Sequence, residues 1–115
     1  LEQPPGLDWV DVGCGTGALT ATILEQCAPR SVLGVDPAGG FVEHARSTIA
    51  DARARFAVGD ARALPCDDDS ADMIASALAY NFVADRPGAL AEMRRVAKPG
   101  GMVGLPVTRS RLNVI

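Results

Sequence analysis

The stretch DVGCGTG, residues 11–17, places three glycines at every second position behind an aspartate. Gly13, Gly15 and Gly17 follow an apolar run that begins at Leu7. Glycine is about 0.5–1 kcal/mol less favourable than alanine inside a helix or strand, so three in such a short stretch need a local reason. The pattern predicts a turn that requires positive φ angles, or backbone that another group must approach closely.

The composition is that of one ordinary globular domain, expected to cover residues 1–115. The chain is 48% hydrophobic and 22% charged, with a formal net charge of −3. A chain of this length buries roughly two thirds of its unfolded surface, enough for a core of its own. The charge provides no basic field, which disfavours nucleic acid as a partner. The pair Arg94 and Arg95 is interpreted as the solvated side of a helix.

Cysteine usage points to a reducing compartment. Cys14, Cys27 and Cys66 form an odd number and have no CxxC spacing. This argues against a disulfide framework or a metal site and favours a cytoplasmic location. No apolar run reaches 18 residues and no charged-then-apolar leader begins the chain, so neither a membrane span nor a signal peptide is expected.

Short apolar runs alternate with amphipathic stretches along the whole chain. Because helical faces repeat every three to four residues, the pattern predicts strands at 7–12, 31–35, 55–58, 73–78 and 102–105 and helices over 17–28, 40–52 and about 85–97. Strands that alternate with helices form βαβ units with right-handed crossovers. We therefore expect an α/β fold with a doubly wound, Rossmann-like parallel sheet of about five strands and helices on both faces.

The glycine turn lies where such a sheet binds its ligands, outside the carboxyl ends of the strands at the point where strand order reverses. Gly13 and Gly15 allow close approach of the backbone, and Gly17 begins a helix whose first amides are unpaired and electropositive. The second strand ends at Asp36, 19 residues after Gly17. Dinucleotide-binding folds place the acid that binds ribose hydroxyls at about this distance, which predicts a ligand with a ribose.

The spacing GxGxG behind Asp11 differs from the GxGxxG of dinucleotide-binding folds. It resembles motif I of class I S-adenosylmethionine-dependent methyltransferases. Within that class, the chain resembles the core of the methyltransferase type 11 group. Three further segments resemble the same family in the same order: VLGVDP (32–37), VGDARALPCDDDSADMIASA (58–77) and LAEMRRVAKPGGMV (90–103). Together the four segments cover about residues 8–104.

The resemblance implies S-adenosyl-L-methionine as the cofactor and transfer of its methyl group by in-line displacement from the sulfonium. Gly13, Gly15 and the neighbouring backbone at Cys14 and Gly17 would line the methionine part, with Asp11 near its amino group. A general base is not assigned, because the acceptor decides whether one is needed.

The resemblance also implies contacts to the adenosyl part. Asp36 would hold the ribose hydroxyls, and Pro37 and Ala38 would pack against the adenine. Asp60 would accept a hydrogen bond from the adenine amino group, while the Ala61 amide would donate one to the ring.

The end of the fourth strand, at Ser76, Ala77 and Leu78, is where cofactor and acceptor meet in the family. Tyr80 and Asn81 follow it, and a loop that packs on the next helix explains them as well as a role at the methyl-transfer mouth. The stretch AYNF (79–82) does not resemble the NPPY-like motif of enzymes that methylate amide or base nitrogens. A small-molecule acceptor is therefore favoured.

Several residues have a simpler structural explanation. Cys14 lies at a helix N-terminus, which would lower its pKa, yet packing beneath the loop is favoured. His44 lies away from the reversal point, so a catalytic role is disfavoured. The DDxxD pattern at 68–72 precedes a strand and is interpreted as a solvated turn, not as a metal site. Asp36 and Asp60 could be strand-end caps, although cofactor contact is favoured for both.

The chain departs from the family at its end. The family core has seven strands, and its last two form an antiparallel hairpin beside strand five, whereas this chain ends at Ile115. We therefore expect a truncated domain that lacks the C-terminal β-hairpin. An unpaired edge on strand five would allow a homodimer. Weak cofactor binding and little or no turnover are expected from these residues alone.

Two other functions remain open on the sequence. The first is a non-catalytic nucleoside-binding or scaffold module with the same fold. The second is a fragment of a nicotinamide-dependent oxidoreductase, which the GxGxG spacing disfavours.

Overall fold

A computed structural model describes residues 4–76, 87–108 and 111–114 of the chain. In chain order the elements are β1 (Asp8–Val12), α1 (Ala18–Gln26), β2 (Ser31–Asp36), α2 (Gly39–Thr48), β3 (Ala54–Val58), β4 (Ala71–Ser76), α3 (Pro87–Val96), β5 (Ala97–Thr108) and β6 (Arg111–Val114). The predicted alternation of strands and helices is confirmed. None of the helices in the described ranges is long and apolar enough to cross a bilayer.

The strands form one sheet in the order β3-β2-β1-β4-β5-β6. β1 to β5 are parallel, and Val12 at the end of β1 pairs with Val35 of β2 on one side and Ser76 of β4 on the other. The chain first adds β2 and β3 on one side of β1 and then β4 and β5 on the other, so strand order reverses at the carboxyl end of β1. The predicted doubly wound parallel sheet is therefore confirmed.

Helices cover both faces of the sheet. Because successive side chains of a strand point to opposite faces, Trp9 of β1 packs in a cluster with Ile23 of α1, and Val10 packs in another with Met93 of α3. α2 lies on the α1 face, since Ile49 just after it joins both the α1 cluster and the α2 cluster. The prediction of helices on both faces is therefore confirmed, with α1 and α2 on one face and α3 on the other.

The connection from β3 to β4, residues 59–70, contains no helix and is held by α3. Leu64 is buried against the sheet, and its amide donates a 2.7 Å hydrogen bond to Glu92 Oε2. Arg95 pairs with Glu92 at 2.6 Å and donates to the carbonyls of Leu64 at 3.2 Å and Cys66 at 3.0 Å. The interpretation of Arg95 as merely solvated is therefore wrong, because this side chain anchors a loop.

β5 includes the turn that the sequence places between helix and strand. Ala71 pairs with Ala97, and Met73 pairs with Met102, so residues 98–101 bulge out of the ladder. Gly100 in this bulge has a φ of 81°, a left-handed conformation that glycine adopts without strain.

β6 is the main departure from the expected fold. It runs antiparallel to β5, with Gly104 opposite Val114 and Thr108 opposite Arg111. The sheet thus has six strands and ends in an antiparallel pair, and the expected open edge of strand five is wrong along this stretch. Four residues are too short for their pattern to identify a strand, whereas the free backbone groups of β5 pair with them in the folded chain. A homodimer through that edge has no support.

Candidate functional site

The loop from Gly13 to Gly17 joins β1 to α1 at the point where strand order reverses. All three glycines have the predicted positive φ, at 74° for Gly13, 55° for Gly15 and 100° for Gly17. The Gly13 and Cys14 amides donate to the Val35 carbonyl at 2.8 and 3.0 Å. The loop is therefore tied to the end of β2, and we call it the crossover loop.

The glycines of the crossover loop serve different purposes. A Cβ on Gly17 would lie 2.4 Å from Ile49 Cδ1, so this glycine allows α1 to approach the chain after α2. A Cβ on Gly15 would meet nothing within 4 Å. Gly15 therefore borders open space, and its backbone is accessible to a ligand.

Asp36 connects the crossover loop to the start of α2. Its Oδ2 accepts a 2.9 Å hydrogen bond from the Gly15 amide, and its Oδ1 accepts one of 2.9 Å from the Ala38 amide. The carboxylate is 9% exposed. Asp36 therefore caps the end of β2, and because each oxygen retains a second lone pair, it can also accept a hydrogen bond from a ligand. Pro37 beside it is exposed.

Asp11, a residue of β1, is completely buried beneath α1. The Thr20 hydroxyl donates a 2.6 Å hydrogen bond to its Oδ2, while Oδ1 has no partner in the described part of the chain. Burial raises the pKa of Asp11 to about 6; Thr20 opposes this rise, and the negative charge of Asp36 adds to it. Asp11 is thus a carboxyl group whose charge depends on its surroundings near neutral pH.

Thr20 is the residue that the sequence analysis missed. It is fully buried and lies on the face of α1 that also carries Ile23 and Leu24. A polar residue at a core position of an amphipathic helix was a signal for a buried partner, because buried hydroxyl groups are almost always hydrogen-bonded.

Cys14 packs beneath the loop, as favoured, against Val42, Ala45 and Phe56. The expectation of a lowered pKa is wrong. Burial raises the pKa of the thiol to about 12, and the charges of Asp11 and Asp36 raise it further. Cys14 is therefore a packing residue, not a nucleophile, because only the thiolate is reactive.

Asp60 and Ala61 lie just beyond β3, at the same edge of the sheet. The Gly59 amide donates to the Asp36 carbonyl at 3.1 Å and so joins the ends of β2 and β3. The Asp60 carboxylate accepts from the Arg62 amide at 2.8 Å and forms a 3.0 Å ion pair with its guanidinium. The structure thus brings Asp11, Asp36 and Asp60 to the carboxyl ends of three adjacent strands.

Ser76 ends β4 next to β1. It is fully buried, and its hydroxyl donates a 2.8 Å hydrogen bond to the Val12 carbonyl. Ser76 therefore joins the two strands at the reversal point. Ala77, Leu78, Tyr80 and Asn81 lie outside the described residues.

The remaining candidates are His44 and the acidic residues of the DDxxD pattern. His44 is exposed on α2. Asp68 forms a 2.6 Å ion pair with Arg95, and Asp72 accepts hydrogen bonds from the Asp8 amide and Lys98. Within the described ranges no three His, Cys, Asp or Glu side chains are arranged to hold a metal ion. The DDxxD pattern is thus a turn followed by a strand.

Comparisons with known proteins agree with this geometry. The sequence matches the methyltransferase domain family over residues 10–105. It is 38% identical over 113 residues to a demethylmenaquinone methyltransferase of Roseiflexus castenholzii, an alignment that covers 96% of this chain and 48% of the relative.

Solved structures show the same fold. An S-adenosylmethionine-dependent methyltransferase from Mesorhizobium loti superimposes with a TM-score of 0.78 at 30% identity, over 91% of this chain and 48% of the other. Phosphoethanolamine N-methyltransferase 1 of Haemonchus contortus, solved with phosphoethanolamine and S-adenosylhomocysteine, gives 0.78 at 27% identity, over 91% and 23%. This chain spans about half the length of these relatives or less. It belongs to the family of S-adenosylmethionine-dependent methyltransferases.

Proposed function

We propose that this chain binds S-adenosyl-L-methionine at the crossover loop and transfers its methyl group to a small-molecule acceptor. The observation that supports it is electrostatic. Asp11 and Asp36 lie together beneath the loop, and neither forms an ion pair with a basic side chain in the described residues. Two nearly buried carboxylates without a cation favour a positively charged ligand, and the methionine end of this cofactor carries a sulfonium and an ammonium group.

The residues around the loop fit the rest of the cofactor. Asp36 has free lone pairs for two ribose hydroxyls, and the backbone of Gly15 borders open space. Asp60 and Ala61 lie at the end of the neighbouring strand, where a base attached to that ribose would be placed. Asp36 and Asp60 would orient the adenosyl part, and Asp11 would stabilise the charge of the other end.

The bound cofactor supplies a methyl group that positive sulfur has already activated. Held at the crossover loop and by Asp36, the cofactor would supply an electrophilic methyl group: the nucleophilic atom of the acceptor would bond to its carbon while the carbon–sulfur bond broke, and the electron pair of that bond would stay on sulfur. The protein has to align the two reactants and exclude water, which contributes roughly 7–11 kcal/mol in well-oriented systems.

A small-molecule acceptor is supported by the chemistry of the relatives. One is named for demethylmenaquinone and another was solved with phosphoethanolamine. The two compounds differ in size and polarity, so they support a small molecule in general and do not identify one acceptor.

The variant Gly15→Asn tests the site. Gly15 has a φ of 55° and nothing within 4 Å of an added Cβ. Asparagine tolerates the left-handed conformation, so the fold is kept while a side chain enters the space of the ligand. We expect titration calorimetry to show binding of S-adenosylhomocysteine weakened by about tenfold or more.

Gly100→Asn is the matched control, because Gly100 is also left-handed, at 81°, and also has open space around it, but lies in the β5 bulge. It should bind like the wild type. Equal losses in both variants, or no loss in Gly15→Asn, would contradict the proposed site. Transfer of a radiolabelled methyl group then separates an enzyme from a non-catalytic binding module.

A further inference from the structure

The proposed function uses Asp11 but assigns no part to Thr20, the buried residue whose hydroxyl binds it. A buried carboxylate is costly unless hydrogen bonds or a cation compensate its charge. Here Thr20 supplies the compensation, through its hydroxyl at 2.6 Å from Oδ2 and through its backbone amide, while Oδ1 has no partner among the described residues. A group retained at such a cost suggests a role in binding, because a neutral side chain would fill the position more favourably.

Thr20 differs from the other threonine of α1 in the way that it uses its hydroxyl. Thr22 Oγ1 donates to the Ala18 carbonyl of its own helix at 3.2 Å, which is the ordinary behaviour of a threonine within a helix. Thr20 donates instead to a strand, across the interface between α1 and β1. A valine would fill nearly the same volume but could not hold the carboxylate.

We propose that Thr20 is a positioning residue for the cofactor, which keeps the Asp11 carboxylate charged beneath the crossover loop, where it attracts the cationic methionine end of the ligand. This inference rests on the proposed function. It does not require direct contact, since Asp11 is sealed from solvent and acts through its electric field.

The charge of Asp11 reaches the crossover loop. Together with Asp36 it raises the pKa of Cys14, which lies within that loop. The groups that face Asp11 are Thr20 from α1, Asp36 from the end of β2 and the Cys14 thiol. Its strand neighbours are Gly34 of β2 and Ala75 of β4, which carry no charge. A cation bound at the loop would therefore meet an attraction that no basic side chain among the described residues already neutralises.

Binding of a cation should then be linked to the loss of a proton from Asp11. Since burial raises the pKa of Asp11 in the free protein to about 6, and a nearby cation lowers that pKa, affinity should increase from pH 5 to about pH 7 and then level off. Removing the Thr20 hydroxyl raises the pKa further, because this hydrogen bond favours the charged form. The increase in affinity should therefore move to higher pH.

The experiment measures affinity for S-adenosyl-L-methionine by calorimetry at several values between pH 5 and pH 8. If Thr20→Val raises the pKa by about one unit, its binding is about fivefold weaker than that of the wild type at pH 6 but within about twofold at pH 8. Thr20→Ser, which keeps the hydroxyl, should restore the wild-type profile. Thr22→Val is the matched control on the same helix and should change neither value.

A weakening of equal size at both pH values would show that Thr20 is only structural and would overturn the inference, as would an unchanged profile.

A second measurement does not depend on the ligand. NMR titration of the Asp11 carboxyl carbon in the free protein should show a higher pKa in Thr20→Val than in the wild type. If the wild type binds no cofactor at any pH, the proposed function fails, whereas an unshifted Asp11 titration disproves the role of Thr20 alone. If Thr20→Val does not fold, the same binding measurements are made on Asp11→Asn. This variant should show no pH dependence of binding between pH 5 and pH 7, and a dependence that persists refutes the inference.

Discussion

At the scale of single residues, the site is defined by two acidic side chains with different environments. Asp36 accepts two backbone hydrogen bonds and remains slightly exposed. Asp11 is sealed in the core, where its donors are the hydroxyl and the backbone amide of Thr20. Asp36 therefore suits direct recognition of hydroxyl groups, while Asp11 suits recognition of charge.

The burial of Asp11 predicts a particular dependence of stability on pH. Its pKa is about 6 in the folded chain against an ordinary value of 3.8, so the folded protein binds the extra proton between these values. The stability contributed by protonated Asp11 is complete below about pH 4 and is lost as the pH rises through about 6, on the order of 3 kcal/mol in total. Denaturant unfolding without cofactor should show the wild type losing stability relative to Asp11→Asn over this range.

Comparison with Asp11→Asn removes the contributions of the other carboxyl groups, which titrate in both proteins. Unfolding free energies that differ by a constant amount from pH 4 to pH 7 would show that Asp11 has an ordinary pKa.

At the scale of elements, the site depends on how loops are anchored to neighbouring strands. The crossover loop is held by the Val35 carbonyl and the Asp36 carboxylate at the end of β2. The connection from β3 to β4 is held by Glu92 and Arg95 of α3. Each loop at the site is thus positioned by an element distant from it in the sequence.

Arg95→Ala should lower the free energy of unfolding more than Arg94→Ala does, because the charge-assisted hydrogen bonds of Arg95 to the connection and to Glu92 are lost. Arg95 is one-third exposed and joins Glu92, Asp68 and two carbonyls of the connection. Chemical denaturation measures this loss. Arg94→Ala is the control on the exposed neighbour, and an equal effect of the two substitutions would contradict the anchoring role.

The limits of prediction at this scale are seen at α2. The apolar spacing of Val42, Ala45, Ile49 and Ala52 predicts a helix to residue 52, but α2 ends at Thr48. Ile49 has left the helical conformation, with a ψ of 88°, and still packs in the core. Apolar periodicity therefore continues past the end of the helix, because burial depends on tertiary position and not on helical hydrogen bonds.

At the scale of the whole molecule, the charge of the site favours one class of nucleoside ligand. Under the proposed function, Asp11 and Asp36 would attract the cationic end of S-adenosylmethionine and would repel the two phosphates of a nicotinamide dinucleotide. S-adenosylhomocysteine at 100 times its dissociation constant should raise the unfolding free energy by about 2.7 kcal/mol, whereas the same concentration of NADH should leave it unchanged. Thermal unfolding with each ligand measures the difference, and stabilisation by NADH would reverse the assignment.

The sequence by itself determined the order of strands and helices, the crossover loop and the acidic residues at the strand ends. These depend on local periodicity and on glycine's tolerance of positive φ, which are properties of short segments. Only the tertiary structure decided the pKa of Asp11, the inert thiol of Cys14, the contact of Thr20 with Asp11, the anchoring by Arg95 and the pairing of β6. Each of these features arises when groups that are far apart in the sequence come together and lose their contact with water. Local sequence patterns cannot predict such contacts, because they depend on how the whole chain folds.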